Sequence, residues 1–411
     1  MPRSPSSPAF WRSPLRGPWF TSVLGAVLLV GITVLFVTGL VSYAAYNPDL
    51  SPVNDQTPDK GLLGFYLFSW PTHPSWLYRL TQGVHVTLGV ALIPVLLAKL
   101  WSVVPKLFAL PPARSLAHAL ERLSLLLLVG GGLFEFTTGV FNIQLDYIFP
   151  GSFYPLHFYG AWVFFAAFLA HAVLKTPLAL RNLRHLRDEQ PSAEGELVSP
   201  NPAEPTVSRR GALGVVGGGS LLLLGTTAGR SFDGPLRQTA VLAPHGGPEP
   251  GGGPGGFQIN KTAAYAGISP TETGEEAWRL VVTGRDGRTV RLGRPQLLRL
   301  ALHSSALPIA CVEGWSTSDQ WWRGVRLRDL AALVGHDDAV DVLVESLQRH
   351  GAFRRAALRA NQVADPRSLL ALSVNGEDLT PDHGYPARVI VPAAPGVLNT
   401  KWVARMTFGD L

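Results

Sequence analysis

Apolar positions come in long unbroken stretches over the first part of the chain and in short ones thereafter. Trp19–Tyr43 contains no charged residue and is long enough to cross a bilayer. Gly83–Val104, Ser124–Phe141 and His157–Leu174 predict three further spans. Gly211–Gly229 predicts a fifth, rich in glycine and poorer in large apolar residues. Beyond about residue 257 the runs shorten. Trp278–Thr283 and Thr289–Leu292 predict strands around the turn Gly284-Arg285-Asp286-Gly287. Pro295–His303 predicts a helix, Ile309–Val312 a strand and Arg326–Val334 another helix, while Val340–Glu345, Leu370–Val374 and Ala387–Val391 read as strands. This irregular mixture predicts an α+β domain.

The expected architecture is a membrane all-α bundle of five helices, four plus one connecting helix, followed by the α+β domain. Residues 1–182 form the bundle, 183–210 a cytoplasmic loop, 211–230 the fifth helix and 257–411 the globular domain. Residues 231–256, with Gly251-Gly252-Gly253-Pro254-Gly255-Gly256 at their end, cannot bury a core. They predict a flexible tether that lets the outer domain swing.

Charge adds orientation. The formal net charge of +6 does not call for a nucleic-acid partner, because much of the excess is arginine beside the apolar runs. The N-terminal tail carries Arg3, Arg12 and Arg16; the second–third loop carries Lys106, Arg114 and Arg122; the fourth–fifth loop carries Lys175, Arg181, Arg184, Arg187, Arg209 and Arg210. The alternate loops are poorer in basic residues, so the N-terminus is expected in the cytoplasm and the globular domain outside the cytoplasmic membrane. Ser208-Arg209-Arg210-Gly211-Ala212-Leu213 resembles a twin-arginine export signal, with Ala212 in place of the usual Phe. A plain basic pair at a membrane edge is the other reading.

Cys311 is the only cysteine. It cannot form an intrachain disulfide or a cysteine-rich metal site. It is either a small buried hydrophobe or a thiolate that binds a soft metal or attacks a substrate.

The neighbours of Cys311 carry a resemblance. Pro308-Ile309-Ala310-Cys311-Val312-Glu313-Gly314-Trp315-Ser316, followed by Trp321-Trp322 and Gly324-Val325-Arg326-Leu327, resembles the cofactor segment of the sulfite oxidase family of molybdenum enzymes. It is most similar to the branch of bacterial catalytic subunits that reduce methionine sulfoxide. Leu370–Glu377, His383-Gly384-Tyr385-Pro386-Ala387-Arg388, and Gly396 to Lys401-Trp402-Val403 resemble later family motifs in the same order. The resemblance implies that Cys311 ligates molybdenum beside the dithiolene of one molybdopterin. It implies that Glu313, on the same face of a strand, acts near the metal as a hydrogen bonder or proton donor. Asn260, His303, His383, Arg388 and Lys401 become candidates for holding the pterin and its phosphate. Trp315, Trp321 and Trp322 line the substrate mouth or form core. Sulfite oxidases proper place anion-binding arginines where Gly314-Trp315-Ser316-Thr317 stands here, which favours the reductase branch.

Ionisable residues within the spans are functional candidates. His157 and His171 are 14 residues apart, which at about 100° and 1.5 Å per residue puts them on nearly one helix face about 21 Å apart. That spacing suits two haems stacked across a bilayer and resembles four-helix b-type cytochromes. The resemblance implies haem b, one or two per chain, with His85 and His157 as axial ligands of an outer haem and His118 with His171 for an inner one. The first span lacks a histidine, a departure from that pattern. Glu135 suits a proton route, a quinone site or helix packing. Histidines hydrogen-bonded within the bundle are the plainer alternative.

These expectations combine into a membrane-bound oxidoreductase. It transfers an oxygen atom at molybdenum, exchanges electrons through b haem with the quinone/quinol pool, and reduces a sulfoxide or N-oxide. Oxidation of sulfite or another small sulfur compound is the alternative direction. A haem-free molybdenum enzyme anchored in the lipid bilayer and served by a soluble carrier is a second alternative, and a cofactor-free binding module on a membrane stalk a third.

Overall fold

Away from water, an apolar segment must satisfy its backbone hydrogen bonds internally, which the helix does. The computed structural model describes residues 4–7, 10–54, 68–108, 110, 115–142, 153–184, 203–232, 235–243, 253–349 and 354–411. The five apolar stretches form α1 (Pro18–Ala44), α2 (Leu77–Leu107), α3 (Leu116–Asn142), α4 (Phe153–Arg184) and α5 (Arg209–Thr227). All five are long and apolar enough to cross a membrane. Ser208 precedes α5 as a cap, its Oγ accepting from the Gly211 amide at 3.0 Å. The twin-arginine-like pair therefore occupies the first turn of this helix.

The chain divides into two compact units. The first holds Met1–Val37, Val86–Asn142 and Asp146–Gly225. Its core is a helical stripe of Phe20, Leu24, Leu28 and Ile32 from α1, packed with Leu92, Val95 and Leu96 of α2 and Phe164 and Phe168 of α4. Phe36 and Phe165 stack at 3.7 Å. Lys99 donates from Nζ to the Thr21 carbonyl at 2.7 Å, so this charge is spent on helix packing.

The second unit holds Thr38–His85 and Thr226–Leu411. Its strands are β1 (Leu280–Thr283), β2 (Thr289–Leu292), β3 (His303–Leu307), β4 (Gln320–Arg326), β5 (Val342–Ser346), β6 (Arg355–Leu358), β7 (Leu369–Val374), β8 (Glu377–Asp378), β9 (Arg388–Ile390) and β10 (Val403–Phe408). One sheet has the order β2-β1-β10-β5-β6, with β1 and β10 parallel. The other has the order β3-β4-β7-β8, with β9 also on β7, and is antiparallel throughout. Phe257, Leu307, Ile309, Trp322, Leu369, Ala371, Val374, Leu379 and Ile390 form a core beside the second sheet.

Three expectations change. The helix expected over Pro295–His303 is only Arg294–Leu297, and His303 opens β3. Of that segment only His303 enters the sheet, paired with Gly324; residues 298–302 are a turn and irregular backbone leading into β3. The strand expected over Ile309–Val312 reduces to isolated bridges at Ala310, because the chain turns back at Cys311. The expected tether, though largely exposed where it is described, is locally structured and anchored. Ala228–Ser231 and Pro235–Thr239 are 3-10 turns, and Arg237 donates to the Ser316 carbonyl. Residues 244–252 lie outside the described residues.

The segment joining α1 to α2 belongs to this second unit and is bound into it. Asn47 is fully buried with φ 51°, a left-handed conformation asparagine tolerates, and donates to the Ala357 carbonyl and to Gln362. Asp49 pairs with Arg359 at 2.9 Å, and the Trp70 indole donates to the Ala393 carbonyl at 2.7 Å.

Candidate functional site

The lone cysteine sits in a tight hairpin. The Cys311 amide donates to the Trp315 carbonyl at 2.9 Å, and the Thr317 amide to the Ile309 carbonyl at 2.8 Å. Between them Val312-Glu313-Gly314 forms a three-residue loop, closed by the Gly314 amide donating to the Cys311 carbonyl at 3.1 Å. Gly314 has φ 85°, the left-handed position such loops require. The Gly396 amide holds the hairpin from the side, donating to the Ala310 carbonyl at 2.7 Å.

Glu313 is beside the sulfur for a reason other than strand alternation. It lies in the loop, with its carboxylate near enough to act on the Cys311 thiol. Burial first, and the Glu313 charge second, push the Cys311 thiol well above its ordinary value. The thiol is thus neutral near neutral pH.

Four of the five proposed pterin residues line one pocket: Asn260, His383, Arg388 and Lys401. Ile309 and Trp315 from the cysteine hairpin line it too. Arg388 is 2% exposed and donates to the His383 and Asn399 carbonyls at 3.1 and 3.2 Å. Burial pulls its guanidinium down to about 9, which leaves it cationic near neutrality. Lys401 donates to the Lys261 and Asp382 carbonyls at 2.9 and 2.7 Å. Burial, then Arg388, pulls Lys401 well below the ordinary lysine value. Among the described residues neither cation has a carboxylate within ion-pair distance. His383 stacks on Phe257 at 3.9 Å and donates from Nε2 to the Gly255 carbonyl at 2.8 Å. Burial pulls it down to about 4, so its ring is neutral.

His303 is elsewhere. It pairs with Gly324 across the sheet, contacts Asp329 at 3.6 Å and does not line this pocket. Gln258, Lys261, Gln348, Asn399 and Thr400 line the pocket without having been singled out by the sequence. Asn399 and Thr400 directly precede the Lys401-Trp402-Val403 motif, which was the available signal; Gln348 gave none. The tryptophans separate. Trp315 lines the pocket, Trp322 is core with its indole on the Leu307 carbonyl at 2.9 Å, and Trp321 is 56% exposed.

The lining suits a polar, anionic group. Arg388 Nε, Asn399 Nδ2, Thr400 Oγ1 and Trp315 Nε1 are buried without a hydrogen-bond partner among the described residues. Native interiors rarely leave four such atoms together, and each is costly without a ligand.

Of the helix histidines, His85 in the second unit shares a hydrogen bond between Nδ1 and Thr38 Oγ1 at 3.2 Å. Gly39, next in sequence, leaves room for the ring; a Cβ there would stand 3.2 Å from His85 Cε1. In the first unit His157 repeats the arrangement. Its Nδ1 contacts Thr138 Oγ1 at 3.0 Å and Glu135 Oε2 at 3.1 Å, and Gly139 is next to Thr138. A partner on Nδ1 fixes ring orientation, as it does for metal-bound histidines. His118 lies in the first turn of α3, its amide donating to Ser115 Oγ at 3.1 Å, and His171 lies within α4.

The family described as "Oxidoreductase molybdopterin binding domain" matches residues 266–410. The "Uncharacterized oxidoreductase YuiH" of Bacillus subtilis is 30% identical over 131 residues, 32% of this chain and 65% of that protein. "Sulfite oxidase, mitochondrial" of Mus musculus is 31% identical over 156 residues, 32% of this chain and 29% of that enzyme. "Nitrate reductase [NAD(P)H]" of Hordeum vulgare is 39% identical over 94 residues, 21% of this chain and 10% of that enzyme. The chain thus spans less than two thirds of each of these relatives.

Proposed function

From the premise that residues 266–410 are a molybdopterin-binding oxidoreductase domain of the sulfite oxidase family, we propose that the chain is a membrane-bound molybdenum oxidoreductase. Its site faces the outside of the cytoplasmic membrane and moves one oxygen atom to or from a small molecule. Its electrons are exchanged with quinone or quinol through b haem. The observation that carries this reading is the pocket of Arg388, Lys401, Asn399 and Thr400 beside the Cys311 hairpin.

Molybdenum–molybdopterin supplies two-electron oxygen-atom exchange when bound. The residues supply the rest. Cys311 would hold the metal through its thiolate, and the neighbouring Glu313 carboxylate would take the proton that the thiol gives up. Arg388 and Lys401 supply positive charge for the pterin phosphate. Asn399 Nδ2 and Trp315 Nε1 add neutral donors, and Thr400 Oγ1 can donate or accept. Asn260, Lys261 and His383 complete the wall. Trp315, Ser316 and Thr317, buried and uncharged, stand where an anionic substrate would need arginine, so a neutral sulfoxide or N-oxide fits better. Oxidation of a small sulfur compound is the second reading, favoured by the likeness to sulfite oxidases.

His85 and His157 would hold an outer b haem, oriented by Thr38 and Thr138, and His118 with His171 an inner one. Haem supplies one-electron conduction. The test is a dithionite-minus-air visible spectrum of purified protein, together with its molybdenum content. Sharp b-type bands and about one molybdenum per chain are expected, with reoxidation of the bands on adding methionine sulfoxide. Loss of molybdenum in Cys311→Ser and loss of a haem band in His157→Ala should follow. Molybdenum without haem bands would overturn the quinone coupling and leave an anchored enzyme served by a soluble carrier. Absence of molybdenum would overturn the reading as a whole.

A further inference from the structure

The hairpin that carries Cys311 is held from outside its own sheet. Its three-residue loop has one closing bond of its own, and a buried carbonyl left without a donor costs about 1–3 kcal/mol. Gln82, in the second turn of α2 and 7% exposed, donates from Nε2 to the Val312 carbonyl at 2.6 Å. Ser231, just beyond α5, donates from Oγ to the Gly314 carbonyl at 2.7 Å. The two carbonyls flanking Glu313 are therefore both tied down by residues next to membrane-length helices.

Those two residues are themselves interlocked. Arg79, one turn before Gln82, donates from Nε to the Ser231 carbonyl at 2.8 Å. Gly83 makes the approach possible, since a Cβ there would stand 2.7 Å from Ser231 Oγ and 2.9 Å from Ser231 Cβ. The Ser316 amide donates to the Arg230 carbonyl at 3.1 Å, and Arg237 closes on the Ser316 carbonyl. Gln82-Gly83 thus acts as one device: the glutamine reaches one loop carbonyl and the glycine admits the serine that reaches the other.

We propose that Gln82 and Ser231 are positioning residues of the metal-binding hairpin, fixing the Val312-Glu313-Gly314 loop and so the placement of the Glu313 carboxylate against the Cys311 sulfur. The inference rests on the reading of Cys311 as the metal ligand. Neither residue touches substrate or cofactor; both act through the loop backbone. The catalytic site is completed by a collar of Arg79, Gln82, Gly83, Arg230, Ser231 and Arg237, outside the span that the molybdopterin-domain family matches.

The experiment uses full-length Gln82→Leu, Gln82→Lys and Ser231→Ala. Hydrogen–deuterium exchange of residues 309–317 is measured on cofactor-free protein, and the Mo(V) paramagnetic resonance signal on loaded protein. Gln82→Leu keeps the bulk and removes the donor. Its exchange in the hairpin is expected to rise about tenfold, with an altered Mo(V) signal at unchanged molybdenum content. Gln82→Lys restores an N–H donor of similar reach and is expected to return both toward the wild type. Ser231→Ala, the milder change, is expected to loosen the Gly314 side of the loop and covers the case of a Gln82 variant that does not fold. Wild-type exchange and an unaltered signal in both Gln82→Leu and Ser231→Ala would overturn the proposal. Wild-type protein without molybdenum would instead overturn the Cys311 reading, while the exchange arm still decides whether the collar holds the hairpin.

Discussion

Arg388 and Lys401 are two of three cationic residues lining the pocket beside Cys311, and among the described residues neither of these two forms an ion pair with a carboxylate. Charges taken from water in that way are kept where an anion arrives to meet them. Lys401→Met should therefore separate two properties. Cofactor retention, read as molybdenum and pterin per chain, should fall about tenfold or more, the value of one charge-assisted hydrogen bond. Thermal stability of cofactor-free protein should change by no more than about 1 kcal/mol, because relief of desolvation offsets two lost hydrogen bonds to carbonyls. A parallel loss of both would mean that Lys401 is a structural residue. At this scale the sequence was informative where a motif named the residue. Asn260, His383, Arg388 and Lys401 all reach the pocket. His303 does not, since nearness to a motif along the chain does not fix which way a strand residue faces. Glu313 meets Cys311, yet through a turn rather than along a strand.

Elements were legible where one period dominated. The five membrane-length helices follow from uninterrupted apolar runs, and Thr289–Leu292 and Leu369–Val374 match the strands read from their patterns closely. The stretch after Pro295 shows the opposite case. Its helix stops at Leu297 and a turn carries the chain into β3, whose pairing with β4 is a long-range contact that no local window contains. Within that sheet Gly324 marks where β4 bulges against β7, the register shifting between Arg323 and Gly324. A Cβ at Gly324 would collide with the Leu370 carbonyl and stand 2.6 Å from Ala371 Cα, both backbone atoms of β7. Backbone cannot swing aside as a flexible side chain can. Gly324→Ala should lower stability by about 1–3 kcal/mol, the usual cost of overpacking, read as a shift in the denaturant midpoint without a change in slope. An unshifted midpoint would mean the bulge is soft.

For the whole molecule, the sequence put five apolar helices ahead of a mixed α/β part, as the fold does, but it read the segments between them as loop and tether only. The residues between α1 and α2 are polar enough to pass for a loop, yet Asn47, Asp49 and Trp70 are bound into the second unit. The Gly- and Pro-rich segment passed for a tether, yet Ser231 and Arg237 hold the cysteine hairpin. Composition reports how a segment behaves alone and says nothing of a partner surface that satisfies its backbone. Orientation is the remaining property of this scale, and the lone cysteine offers a clean way to measure it. Cys311 is 3% exposed, so a bulky membrane-impermeant maleimide should leave the unaltered chain unlabelled. Tyr265, 77% exposed on the second unit, and Glu204, exposed ahead of α5, are suitable sites for single reporters. If basic loops stay in the cytoplasm, Tyr265→Cys labels in intact spheroplasts and Glu204→Cys labels only after permeabilisation. The reverse pattern would put the molybdenum site in the cytoplasm, and the reading of Ser208-Arg209-Arg210 as an export signal would fall with it.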